Sequence, residues 1–179
     1  MATYNASGGS LTPNYQTVIV GEFYSFNGTP CNCIARLNGN GTLDTTFDSS
    51  VGIGAVPGFN FPPEYIYTVV MDATVPQFSC YIGGSFSSFN GVARGNIARL
   101  NANGSVDTTF NPGSGANGPV YAISQRLDGK LMIGGSFTAY NGVAITNLAR
   151  INPNGSLDTT FNPGAAPRYR PAPSRHHPD

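Results

Sequence analysis

The sequence predicts an all-β protein of three equivalent four-stranded antiparallel sheets, on three observations. One fifteen-residue stretch occurs three times, as Cys33 to Phe47, Asn96 to Phe110 and Asn147 to Phe161, each time ending Asp-Thr-Thr-Phe. A Phe-x-x-Phe/Tyr-Asn-Gly segment precedes every copy, and 21 positions separate its first Phe from the Asp in all three (23 to 44, 86 to 107, 137 to 158). The composition, with Gly 23, Pro 14 and only 10% charged residues, is that of a turn-rich β protein.

In chain order, residues 1–14 read as an irregular lead-in, and Tyr15 to Gly21, rich in β-branched residues, as the first strand. A strand before each later copy, Tyr65 to Met71 and Val120 to Arg126, makes a full unit four strands in a meander. The paired glycines in Ile82-Gly83-Gly84 and Ile133-Gly134-Gly135 mark strands that another backbone approaches closely. The repeats run about 15–50, 64–113 and 119–164, the first allowed to be incomplete, within a 15–164 domain. Repeat spacing is 63 and then 51 residues, the excess lying in two loop insertions, one between Phe47 and Tyr65 and one between Tyr65 and Phe86; the first, Val51 to Pro63, carries Phe59 and Phe61, a candidate contact loop. From 165 to 179 the chain is Pro-rich, basic and aperiodic, a tail whose Arg168, Tyr169, Arg170 and Arg175 are candidates for docking on an acidic neighbour.

Each fifteen-residue copy reads as a hairpin with a three-residue loop ending in Asn-Gly, the Gly in the left-handed position. With Pro153 to Gly155 as the loop, Ile151 faces Leu157 and Arg150 faces Asp158. The same count sets Arg36 opposite Asp44 and Arg99 opposite Asp107. Side chains alternate across a strand, so the aliphatic pair and the ionic pair lie on opposite faces. These pairs hold six of the eighteen charged residues, and the expected role is structural: a cross-strand ion pair is worth about 0.2–1 kcal/mol, and register matters more.

The charge balance is zero, which gives no footprint for nucleic acid, and no apolar run approaches the roughly 18–20 residues that span a bilayer. Met1 to Pro13 lacks the regions of a Sec signal peptide. Cys31, Cys33 and Cys80 are read as reduced small side chains, since Cys-x-Cys has no second pair and both histidines lie in the tail. No residue set reads as catalytic, cofactor-binding or metal-ligating. No His outside the tail can serve as a general base, the Asp residues of the hairpins are matched to Arg, Gly-Gly-Ser is not a nucleophile elbow, and no Asp-x-Asp-x-Asp-Gly loop occurs.

A period near 50 residues with four strands per unit is the pattern of propeller blades. The Gly-Gly-Ser-Phe, Asn-Leu-Ala-Arg-Ile-Asn, Asn-Gly-Ser-Leu-Asp-Thr-Thr-Phe and Leu-Asp-Gly-Lys segments (134–137, 147–152, 154–161, 127–130) resemble the delta-60 repeat, a β-propeller-like repeat of bacterial and phage proteins. That resemblance covers about 15–164 and implies no catalytic residues. Propellers close with about four to eight blades, so three are expected to be completed by oligomerisation or docking. The expectation is a non-enzymatic protein of a multi-copy assembly, such as a phage virion surface or tail protein, located on a virion or extracellular surface. Its partners would be further copies or other structural proteins, with no nucleic acid and no membrane. The alternative is a secreted or surface adhesin-like module that binds a glycan or protein.

Overall fold

A computed structural model describes residues 2–5, 15–48, 52–53, 64–74 and 78–164, with the backbone alone at 2–5 and 15. Unit one comprises β1 (Ala2–Asn5), β2 (Tyr15–Val20), β3 (Ser25–Phe26), β4 (Thr29–Pro30) and β5 (Ile34–Leu37). Unit two comprises β6 (Tyr65–Met71), β7 (Cys80–Ser85), β8 (Ser88–Phe89), β9 (Val92–Ala93) and β10 (Ile97–Leu100). Unit three comprises β11 (Val120–Gln125), β12 (Leu131–Gly135), β13 (Ala139–Tyr140), β14 (Val143–Ala144) and β15 (Leu148–Ile151). No helix occurs among the described residues. In each unit three strands form an antiparallel sheet, in the orders β1-β2-β5, β6-β7-β10 and β11-β12-β15.

Two details differ from the sequence expectation. The lead-in is not wholly irregular, because Ala2–Asn5 pairs antiparallel with β2 and supplies the first strand of unit one. The fourth strand of each unit is reduced to one bridging pair, Leu37 with Leu43, Leu100 with Val106 and Ile151 with Leu157. The Asp-Thr-Thr segment that follows turns away at once, because each Asp closes a turn on the Thr two residues later. Asp44 Oδ1, for example, accepts from the Thr46 N–H at 2.9 Å and from its hydroxyl at 2.6 Å.

The hairpin register follows from the loop. Gly41, Gly104 and Gly155 take φ of 82°, 85° and 92°, left-handed values that a Cβ disfavours. The Asn-Gly pairs between β3 and β4, β8 and β9, and β13 and β14 are also left-handed at both residues, with φ of 47° and 79°, 45° and 74°, and 45° and 76°. Two left-handed central residues make a type I′ turn, whose twist suits a two-residue hairpin.

The double glycines sit in the middle strands. A Cβ at Gly84 would lie 1.9 Å from the Tyr65 carbonyl oxygen, and one at Gly135 would lie 2.0 Å from that of Pro119. The close backbone is therefore the unit's own inner strand. Beside these glycines the ladder slips by one residue, between Ile66 and Thr68 and between Val120 and Ala122. The bulges leave Tyr67 and Tyr121 outside the pairing, and both are exposed.

Units stack face to face, so the sheet of unit two is covered on both faces and those of units one and three on one. Val18, Ile34 and Phe47 of unit one meet Ile82, Phe89, Leu100 and Val106 of unit two in one buried cluster. Tyr81, Ile97 and Phe110 of unit two meet Ile133, Tyr140 and Ile151 of unit three in the second. Cys31, Cys33 and Cys80 are unpaired and buried, and burial pushes the Cys80 thiol up to about 12. Since the thiolate is the reactive form, a disulfide reagent is expected to titrate none of the three quickly in the native protein and all three in urea. Rapid native labelling would contradict this packing.

Cys33 is itself out of place. It holds φ 64°, as do Asn96 and Asn147 at the equivalent positions. Asn tolerates that region, and the Asn96 side chain also accepts from Phe86 N–H at 2.9 Å and donates to the Ala116 carbonyl at 2.7 Å. In unit one the Ile53 carbonyl, the counterpart of that of Ala116, already accepts from Asn32 at 2.9 Å, so Cys33→Asn is expected to stabilise mainly by easing the left-handed backbone, by about 0.5 kcal/mol, read as a higher urea midpoint with unchanged slope.

Candidate functional site

The repeated ionic pairs lie where the strand count places them. Arg36 Nε donates to Asp44 at 2.8 Å, Arg99 Nη1 to Asp107 at 2.8 Å, and Arg150 Nε to Asp158 at 2.7 Å. In each copy the Asp N–H also donates to the carbonyl of the facing Arg at 2.8 Å. One carboxylate oxygen holds the Thr turn and the other holds the Arg, and Asp-x-Thr supplies both from one residue.

These pairs are not exposed rungs. Alternation does put them opposite the aliphatic pair, but in units one and two stacking of the next unit buries that face as well, while Arg150 in unit three keeps 21% of its side chain exposed. The Arg36 side chain is 6% exposed and that of Asp44 7%. Arg36 also donates to the Ala102 carbonyl in the hairpin loop of unit two, and its guanidinium lies 5.0 Å from the Phe47 ring centre and 4.8 Å from that of Phe78. Gln16 completes the shell of Asp44 with a 2.6 Å hydrogen bond.

Arg99 serves two carboxylates. Besides Asp107 it reaches Asp72 at 2.6 Å, and Asp72 has a fully buried side chain that also accepts from the Tyr81 hydroxyl, the Thr74 turn and Gln125 of unit three. Asp72-Ala73-Thr74 repeats the Asp-x-Thr turn outside the hairpins, a signal present in the sequence. In unit three Asp158 takes both Arg150 and Lys130, each at 2.7 Å.

All four carboxyls titrate below their ordinary range. Burial opposes ionisation of Asp44, Asp72 and Asp107, but is outweighed by the Thr hydrogen bonds, by Gln125 at Asp72, and by the facing Arg. The Lys130 hydrogen bond comes first at Asp158, followed by the Thr160 hydroxyl. A lowered folded pKa contributes stability above the unfolded value near 3.8 that disappears as pH falls through the folded value. These groups stay charged and fully partnered at neutral pH, the opposite of a poised acid or base. Among the described residues no group of three or more His, Cys, Asp or Glu is gathered to hold a metal.

The more informative geometry is at the two ends of the stack. Ile34 and Ile97 are 0% exposed, while Leu148, at the same place in unit three, is 39% exposed. Phe47 and Phe110 are buried, but Phe161 is only half-buried. Unit one shows the mirror pattern, with Ile19, Phe26 and Leu37 half-buried where their counterparts in units two and three are fully covered. A Cβ at Gly104 would lie 2.5 Å from the Asp48 carbonyl oxygen and one at Gly155 2.6 Å from the Asn111 carbonyl carbon, both in the preceding unit; at Gly41 nothing lies within 4 Å.

Exposed tyrosines at the inner strands escaped the sequence reading, because the bulges that expel Tyr67 and Tyr121 leave no mark in strand alternation. Their ring centres are 5.3 Å apart, and Tyr65 stacks on Tyr67 at 5.9 Å. The contact-loop candidates Phe59 and Phe61, and Arg168, Tyr169, Arg170 and Arg175 of the tail, lie outside the described residues.

Comparison with protein families gives a match over residues 16–47, 81–110 and 127–161 to the family described as "Domain of unknown function (DUF5122) beta-propeller". Comparison with curated proteins and with solved structures gives no match. The matched segments cover more than half of the chain and take in the ionic hairpin of each of the three stacked sheets, so the protein belongs to this β-propeller family.

Proposed function

We propose that the protein is a non-enzymatic structural component of a multi-copy assembly, such as a phage virion surface or tail protein, and that its repeat is of the delta-60 kind. The observation that carries this reading is the pair of unequal end units: one face is covered in each of two internal joints and uncovered at the end of the stack. Uncovered apolar and strand-edge surface of this kind favours association. The buried charges support the non-enzymatic part, because their polar contacts go to holding turns and joints. On this reading the protein resides on a virion or extracellular surface.

A second reading, an adhesin-like module that binds a glycan, is favoured by exposed Tyr24, Tyr67 and Tyr121, since aromatic faces suit sugar rings. Negative-stain imaging of the purified protein together with a glycan array separates the two. Ordered rings, fibres or decorated particles support the structural reading, whereas discrete single-chain particles that retain a glycan would replace it with the second.

A further inference from the structure

We infer that a second copy of this chain seats head to tail on the first, unit three of each covering unit one of the other, so that two copies close one six-bladed ring. This rests on the assembly reading above and names the partner and the register.

The two internal joints are built alike. After the conserved-in-repeat Phe, the Asp48 N–H donates to the Asn103 carbonyl at 2.8 Å in the first joint, and the Asn111 N–H to the Asn154 carbonyl at 2.7 Å in the second. The connector then bridges the next unit's short hairpin, Ile53 with Phe89 and Ala116 with Tyr140. There the Asn90 N–H donates to the Gly52 carbonyl at 2.8 Å and the Asn141 N–H to the Gly115 carbonyl at 2.7 Å. The apolar parts correspond too: Val18, Ile34 and Phe47 fill the first joint as Tyr81, Ile97 and Phe110 fill the second.

Each end of the stack carries half of this joint. Met132, Leu148 and Phe161 occupy the same three places in unit three and are not fully covered. Asn162, equivalent to Asp48 and Asn111, is exposed, and so are Asn40 and Gly41, equivalent to Asn103-Gly104 and Asn154-Gly155. The repeat register therefore puts the Asn162 N–H of one copy on the Asn40 carbonyl of the other, with Gly41 against the chain that follows Phe161.

A second copy is the occupant because the two open surfaces are copies of surfaces that already fit each other twice within the chain. A head-to-tail joint of this kind either closes or runs on, and two chains of three units reach six, within the roughly four to eight blades at which propellers close.

The test is native mass spectrometry of the full chain and two variants. Leu148→Glu places a charge on a half-exposed position, and Gly41→Ala adds a methyl where the internal joints leave no room; the free hairpin has space for that methyl, and the strain of Ala at φ 82° falls on the free and the paired chain alike. Wild type is expected at twice the 18.7 kDa chain mass and each variant at the single mass. All three should share one circular dichroism spectrum. An equimolar mixture of the variants is expected to regain the double mass through one joint, the intact unit three of Gly41→Ala on the intact unit one of Leu148→Glu, while the other joint carries both substitutions and stays open. That recovery also shows that both variants are folded. A wild-type single mass would overturn the inference, as would a Gly41→Ala variant that keeps the double mass, or natively folded variants that fail to combine. Ordered assemblies by imaging with no effect of either variant would remove this seat while leaving the structural reading in place.

Discussion

Arg99→Met is expected to lower unfolding free energy at pH 7 by about 3–5 kcal/mol, the range for removing one partner of a buried ion pair. The reason is geometric. Arg99 is the shared cation of Asp72 and Asp107, held at 2.6 and 2.8 Å, and the Asp72 side chain is fully buried. Met keeps most of the volume, so the loss reports the two uncompensated carboxylates. The pH dependence gives the sign. In wild type both carboxyls titrate low, so their contribution is complete above about pH 4 and fades as pH falls further. Without Arg99, burial and mutual repulsion of the carboxylates raise their proton affinity, and protonation then relieves the folded state. The deficit of the variant should therefore narrow between pH 7 and pH 4 in urea unfolding. A deficit under about 1 kcal/mol, or one of equal size at both pH values, would instead describe a solvated surface pair.

Phe110→Ala is expected to be of similar size, about 3–5 kcal/mol, from lost transfer energy and the cavity left behind. Phe110 is fully buried in the joint between units two and three and meets Tyr81 edge-on at 5.4 Å. Tyr81 in turn lies under the Arg99 guanidinium at 5.6 Å, so the cavity would open beside the ionic network. For a chain of this size each kcal/mol moves the melting temperature by roughly 2–4 °C, which puts the expected drop at about 6–20 °C. Calorimetry would check it. A shift of only a degree or two would mean that the units do not depend on one another through this joint.

The two variants probe what was hardest to read in advance. The hairpin was legible because its signals are local: an Asn-Gly turn with a left-handed Gly, a period-two apolar pattern, and an Arg and Asp equidistant from the loop. That count alone puts Ile151 opposite Leu157 and Arg150 opposite Asp158, as the bridge and the ion pair have it. The double glycines were legible for a similar reason, although the backbone that crowds them is the inner strand of the same unit and not a neighbour's. Tyr67 and Tyr121 were not legible, since a bulge is a property of two paired strands and leaves the alternation of either strand unchanged. Asp72 was missed because it comes to Arg99 from the turn after β6, twenty-seven positions away along the chain.

Repetition at a constant spacing, with turn chemistry that admits one register, was enough by itself to determine three like antiparallel sheets and the partner of each hairpin arginine. Which face of a sheet is covered was beyond it, because alternation tells two faces apart without saying what lies against either. Stacking decided that both faces are core in the middle of the chain, and it left Leu148 and Gly41 open only because the stack ends there. Burial depends on what a neighbouring unit does, and three nearly identical sequences can differ in burial for no reason but their place in the row.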